Sequence, residues 1–405
     1  METHSFAIDV PQGDLDDLNA RLDAARWPNV VDPDLTEKGL SLTWLREAAH
    51  YWRSGFDWRA AEAGINRLPQ FTTQIDGIRI HFVHARSAGA GTPVLLVHGW
   101  PDSFLRYRGV IPLLVAAGHD VIVPSLPGFA FSGQPGGPLR LAGVAEQLHA
   151  LVTGLGYECY AVSGGDWGAG IADRLAATHP DAIAALHLTD VPFTRAFEVD
   201  RSSASEAEQH YLAKADAWFE QAAYFGIQAT EPTALATGLS DSPVALLAWL
   251  GSKVRDWSAA EPELDALLTE VSVHWFTGDA RSALRLYAES IDTTEWDGGD
   301  GNGGDGGNDE WSADAATNEQ VESAGWVAPV SQVPTGITLF PEDFVTAPKE
   351  YAERFYDLRR FSIAPTGGHF GAAEAPGFFA DELVSLLAEV ASSHSFAPTG
   401  LATDA

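Results

Sequence analysis

The chain is predicted to be an α/β protein built on a mostly parallel sheet, and three observations predict it. Short continuous apolar runs, Val94-Leu95-Leu96-Val97 and Val121-Ile122-Val123, have the composition of strands buried on both faces. Segments with apolar residues at helical spacing alternate with those runs, the order in which helices cross over between parallel strands. Gly164-Gly165-Asp166-Trp167-Gly168 then joins an apolar strand to a helix through a glycine turn.

The elements follow in order. The first seventy or so residues are helical in pattern, with Leu15, Leu18 and Leu22 at helical spacing, then Trp27-Pro28, then an amphipathic run from Leu42 to Trp52. From Phe71 the pattern changes to alternation, as in Ile78-Arg79-Ile80-His81-Phe82-Val83. Helices are expected around Leu139 to Leu155 and Ile171 to Thr178, the second stopped by His179-Pro180. Glu158 to Val162 reads as a strand that holds Cys159 as a small core residue; one cysteine permits no intrachain disulfide and no cysteine metal cluster. After Ala184-Leu186-Leu188 the strand rhythm breaks from Phe193 to Ile291, a stretch of helices rich in tryptophan and alanine that reads as a lid. The sheet resumes at Ile337 to Phe340 and Phe361 to Ile363, and a final helix follows Phe378. Asp297 to Asp309, almost wholly glycine, aspartate and asparagine, reads as a solvated loop, since it lacks the spaced ligands and closing glutamate of a calcium loop. The expected division is a wrap segment 1–70, a first core part 71–192, a lid 193–291, a linker loop 292–330 and a second core part 331–405.

Composition excludes some functions. Acidic residues number 56 against 24 basic ones, a net charge of -32, which would repel a nucleic acid, so no nucleic-acid partner is expected. Lysine is confined to Lys38, Lys214, Lys253 and Lys349, a balance that resembles proteins of salt-loving organisms and speaks to habitat. Met1-Glu2-Thr3-His4 opens no basic-then-apolar leader, and no run of about 18 apolar residues occurs, so a soluble, cytoplasmic protein without a membrane partner is expected.

The chemistry starts at the glycine turn. Gly164 and Gly168 stand two before and two after Asp166, where a nucleophile elbow needs small residues for close backbone passage. An aspartate there suits displacement at an electrophilic carbon, forming an alkyl ester, and epoxides and alkyl halides fit that chemistry. His98-Gly99-Trp100-Pro101 follows a strand where an α/β-hydrolase places its oxyanion loop, so the amides of Trp100 and Trp167 are expected to meet developing negative charge. His98 is expected to serve as a structural hydrogen-bonding group. The base should come last in the chain, after an acid. His369, in Pro365-Thr366-Gly367-Gly368-His369-Phe370, supplies it, and Glu342-Asp343 offers two acids, with Asp343 preferred and Glu342 the alternative.

These residues resemble the epoxide hydrolases of the α/β-hydrolase fold, in particular the microsomal and juvenile-hormone branch with its soluble fungal relatives. The resemblance spans nearly the whole chain, from Arg26-Trp27-Pro28 through His98-Gly99-Trp100-Pro101-Asp102-Ser103 and the elbow to Gly368-His369-Phe370. It implies an eight-stranded-type sheet flanked by helices, a helical lid inserted after the sixth strand, and an N-terminal wrap. Membrane-bound members carry an anchor ahead of that wrap, and none is read here.

The resemblance also implies that two lid tyrosines protonate the epoxide oxygen. Tyr224, in Tyr224-Phe225-Gly226, and Tyr287, in Arg285-Leu286-Tyr287, match those places, while Tyr211 is expected to pack within the lid. It implies a small epoxide as the substrate partner, a vicinal diol as product, no cofactor or metal, and pairing into a homodimer as a common state. One departure is Pro127-Gly128-Phe129-Ala130-Phe131-Ser132, with alanine in place of the family's second glycine. A haloalkane dehalogenase shares the fold and nucleophile but needs an asparagine where Trp100 stands. A catalytically silent binding protein of the same fold is the other alternative.

Overall fold

The computed structural model describes residues 1–29, 40–290 and 330–393. The Asp297 to Asp309 segment, and with it the expected linker loop, lies outside the described residues. Nine strands form one sheet: β1 His4–Phe6, β2 Gln70–Ile75, β3 Ile78–Ala85, β4 Gly91–Val97, β5 His119–Pro124, β6 Tyr160–Gly164, β7 Ile183–Leu188, β8 Ser331–Leu339 and β9 Tyr356–Ile363. Their order is β1-β2-β3-β5-β4-β6-β7-β8-β9. The pairings β1 with β2, β2 with β3 and β3 with β5 are antiparallel, and every pairing from β5 to β9 is parallel.

Side chains alternate across the sheet with a period of two, and that alternation divides the core. On β4, Leu95 and Val97 belong to one apolar cluster and Val94 and Leu96 to the other, all four fully buried. Helices Leu141–Gly154 and Trp167–Thr178 cover the first face; Ile111–Ala116 and Pro376–Ser393 cover the second. Pro334 is accommodated in β8 beside a register shift against β9, where a missing N–H is tolerated.

Between β7 and β8 the described residues form six α-helices, Glu206–Gln221, Ala223–Thr230, Pro232–Asp241, Pro243–Trp257, Leu264–Thr277 and Ala280–Ser290. Local sequence sets their ends. Ser205 and Glu208 close a capping box on the first, Ser242 caps the fourth, and Gly278 ends the fifth at φ 65°. The N-terminal helices pack against this lid: Trp52 Nε1 donates to Ser272 Oγ at 3.0 Å and the Tyr51 hydroxyl to Asp265 at 2.8 Å. No helix among the described residues is long and apolar enough to cross a membrane.

Two expectations are corrected. His4–Phe6, within the stretch read as helical, pairs as a strand with β2, because three residues are too few for a periodic pattern to register. Cys159 is exposed and precedes β6, which begins at Tyr160, so it is not a core residue.

Candidate active site

The turn between β6 and helix Trp167–Thr178 holds Asp166 at φ 56° and ψ -133°, a strained backbone for a residue with a side chain. The glycines around it are required by space. A Cβ on Gly164 would collide with the carbonyl of Gly168, and one on Gly168 with the carbonyl of Val97. Gly99 in turn lies against the Asp166 side chain itself.

The loop after β4 brings a donor to this side chain. Trp100 N–H donates to Asp166 Oδ1 at 2.8 Å, and Gly99 N–H is anchored on Asp102 Oδ1 at 3.0 Å. Asp102 pairs with Arg106 at 2.6 Å, and Arg106 also donates to the carbonyl of His369 at 2.6 Å, so one buried ion pair joins two loops of the site. Trp167 is the first helical residue, so its N–H is one of those a helix leaves without an internal partner. His98 is buried, with Nδ1 donating to the Gly99 carbonyl and Nε2 accepting from Leu126 N–H. Those bonds fix a neutral tautomer, and burial lowers its pKa.

His369 lies after β9 with its imidazole between two carboxylates. Nδ1 is 3.0 Å from Asp343 Oδ1, and Nε2 is 3.4 Å from Asp166 Oδ2 with no hydrogen-bond partner. Phe344 stacks on the ring at 4.4 Å and Trp257 meets it edge-on at 5.4 Å. Burial acts to lower the His369 pKa, but the charges of Asp343 and Asp166 outweigh it and hold the group at about 10. Of the two neighbouring acids, Asp343 reaches the histidine and Glu342 is exposed.

Tyr224 and Tyr287 close the site from the lid. Tyr224 stacks on Trp100 at 5.6 Å, and Tyr287 meets Trp167 edge-on at 4.8 Å. Burial raises both phenols well above their ordinary pKa, the charge of Asp166 adding to it, so both keep their protons at neutral pH. Asp166, Asp343, His369 and the two tyrosines face one cavity of about 690 Å³, counting its open mouth, walled by Phe193, Trp218, Phe219, Phe225 and Phe344. Tyr211, expected to pack within the lid, is buried against Tyr351 and also borders this cavity. A carboxylate beside an amide donor, an imidazole on a second carboxylate, and two neutral phenols across an apolar space can together carry a displacement at carbon and its hydrolysis. Among the described residues no group of three or more histidine, cysteine, aspartate or glutamate side chains is arranged to hold a metal.

Sequence reasoning missed Asp190, which borders the cavity and accepts the Asp166 N–H at 3.2 Å. One signal was available: Asp190 follows the C-terminal end of β7, the edge where parallel sheets gather functional groups. A second contact concerns Ala130, the departure in the loop after β5. It sits at φ 44° and its N–H donates to Asp279 of the lid at 2.6 Å; Asp279 also bonds His274, whose Nε2 reaches the carbonyl of Pro101 at 3.1 Å. The lid therefore holds the loops after β4 and β5.

Comparison with known proteins agrees with this architecture. A family model for the epoxide hydrolase N terminus matches residues 3–107, and one for the alpha/beta hydrolase fold matches residues 92–296. The chain is 36% identical over 397 residues to a Stigmatella aurantiaca protein designated an epoxide hydrolase, covering 93% of this chain and 83% of that one. The Aspergillus niger epoxide hydrolase structure superposes with a TM-score of 0.80 at 28% identity, over 96% of this chain and 97% of that one. The juvenile hormone epoxide hydrolase of Bombyx mori superposes with a TM-score of 0.77 at 26% identity, over 96% and 94%.

Proposed function

Because this chain belongs to the epoxide hydrolases of the α/β-hydrolase fold, we propose that it converts epoxides to vicinal diols through an ester formed on Asp166. The observation that carries the reading is His369, set between Asp343 at 3.0 Å and Asp166 at 3.4 Å, so that Nε2 faces the carboxylate whose ester it would hydrolyse.

Tyr224 and Tyr287 hold the epoxide oxygen while an Asp166 oxygen attacks a ring carbon; the C–O bond breaks and a tyrosine protonates the departing alkoxide. Esterification removes one of the two charges that hold the proton on His369. That proton restores the tyrosine, and the neutral imidazole, still oriented by Asp343, becomes a base. It takes a proton from water as the hydroxide adds to the ester carbonyl, and the Trp100 and Trp167 amides stabilise the oxyanion. Collapse breaks the ester C–O bond, the departing alkoxide takes the proton of the newly added hydroxyl and leaves as the diol, and Asp166 and His369 return as carboxylate and imidazolium. The acid excess of the chain supports a high-salt setting for this activity.

The test is one turnover in heavy-oxygen water with styrene oxide, with enzyme in excess. An ester route gives a first diol whose new oxygen comes from Asp166 and is unlabelled. A labelled first diol means direct attack by water and refutes the ester.

A further inference from the structure

We propose that Asp190 is a positioning residue of this site: its carboxylate holds the Asp166 amide, and its negative charge favours attack by Asp166 over retention of charge there. The inference rests on the reading of Asp166 as the nucleophile. Asp190 follows β7, accepts the Asp166 N–H at 3.2 Å and borders the same cavity as Asp166, Asp343 and His369. Asp166 is a side-chain-bearing residue at φ 56°, so an anchor on its own amide keeps the strained turn in register with its target.

The charge has a direction as well. During attack, negative charge leaves Asp166, next to Asp190, and passes to the oxygen held by Tyr224 and Tyr287 on the lid side of the cavity. A carboxylate at Asp190 raises the energy of the starting Asp166 carboxylate more than that of the transition state, so it accelerates ester formation. Ester hydrolysis creates an oxyanion and an imidazolium together, with no net charge, and the two influences of Asp190 offset. Asp190 is faced by Asp166 on the elbow, Asp343 after β8, His369 after β9, Arg106 and Tyr107 beyond β4, and Tyr211 of the lid. Burial, with Asp343 and Asp166, pushes its carboxyl up to about 7, against the opposing pull of His369 and Arg106. Its charge is therefore present above neutrality and lost below it.

Asp190→Asn keeps an acceptor for the Asp166 amide and removes the charge. Rapid-quench measurement of ester on Asp166, with styrene oxide, separates the two half-reactions at a pH of about 9 and about 5.5. At the higher pH the variant is expected to form ester about fivefold more slowly, with hydrolysis changed by less than about twofold, and at the lower pH to match the wild type. Equal deficits at both pH values, parallel slowing of both half-reactions, or no deficit at the higher pH overturns the proposal. If the variant does not fold, the wild type decides: ester formation must rise about fivefold through a pH near 7, and a flat profile overturns it. A wild type that forms no ester overturns the Asp166 reading together with this one; ester without the Asp190 effect overturns this one alone.

Discussion

Gly99→Ala tests how tightly Asp166 is placed. A Cβ at Gly99 would stand 2.5 Å from Asp166 Cβ and 2.7 Å from its Cγ, where ordinary contact begins near 3.4 Å. Relief requires a shift of at least about 0.9 Å, the difference between 3.4 and 2.5 Å, since Asp166 Oδ1 lies closer still. Neither side yields easily, because Gly99 N–H is pinned to Asp102 and the elbow is wedged by Gly164 and Gly168 against backbone. Moving Asp166 that far can stretch its 2.8 Å bond from Trp100 to as much as about 3.7 Å, beyond a hydrogen bond. A displacement of about 1 Å in a reacting group costs about a hundredfold in rate, or about 2.7 kcal/mol of transition-state stabilisation. Overpacking should also destabilise the fold by about 1–3 kcal/mol. The assay is kcat/KM for styrene oxide on protein whose folded fraction is set by thermal melting. Activity within about threefold of wild type in a folded variant would refute the claim that the loop and the elbow are held in contact.

Three further outcomes are expected. The Tyr224→Phe, Tyr287→Phe double variant should fold and lose about 10²–10⁴ in epoxide turnover, and unchanged turnover removes both phenols from the mechanism. Arg106→Met should lower unfolding free energy by about 3–5 kcal/mol in a denaturant titration, because it strands Asp102 in the interior; a loss below about 1 kcal/mol contradicts the pairing. His369 is held at about 10 and His274, beside Asp279, at about 9, both above the ordinary 6.5, so their contribution to stability is full below about 6.5 and is lost as pH rises through those values. The melting temperature should fall between a pH of about 7 and about 10, with a shallower fall in His369→Gln; identical slopes refute the assignment.

The fold class was legible in the sequence, and so were the chain positions of Asp166, Asp343 and His369, which the fold brings to one cavity, because the signals are local. A compact glycine turn marks the elbow, although only Gly164 is fixed by backbone within it and Gly168 by the carbonyl of Val97 on β4, and the buried strands declare themselves as unbroken apolar runs. His98 could also be weighed correctly, since a loop after β4 points its ring at its own turn. Other features depend on distances that composition does not carry. Asp343 and Glu342 are neighbours with the same chemistry, and only the path of the chain after β8 turns one toward His369 and the other to solvent. Asp190 comes beside Asp166 because β6 and β7 are parallel neighbours that end together. The departure at Ala130 became intelligible only when Asp279, 149 positions away, was found bonded to its amide. The sequence by itself determined which groups are available and in what order. The tertiary structure decided which carboxylates share a cavity, and so which charges each group feels, because electrostatic interaction depends on separation and burial and not on place in the chain.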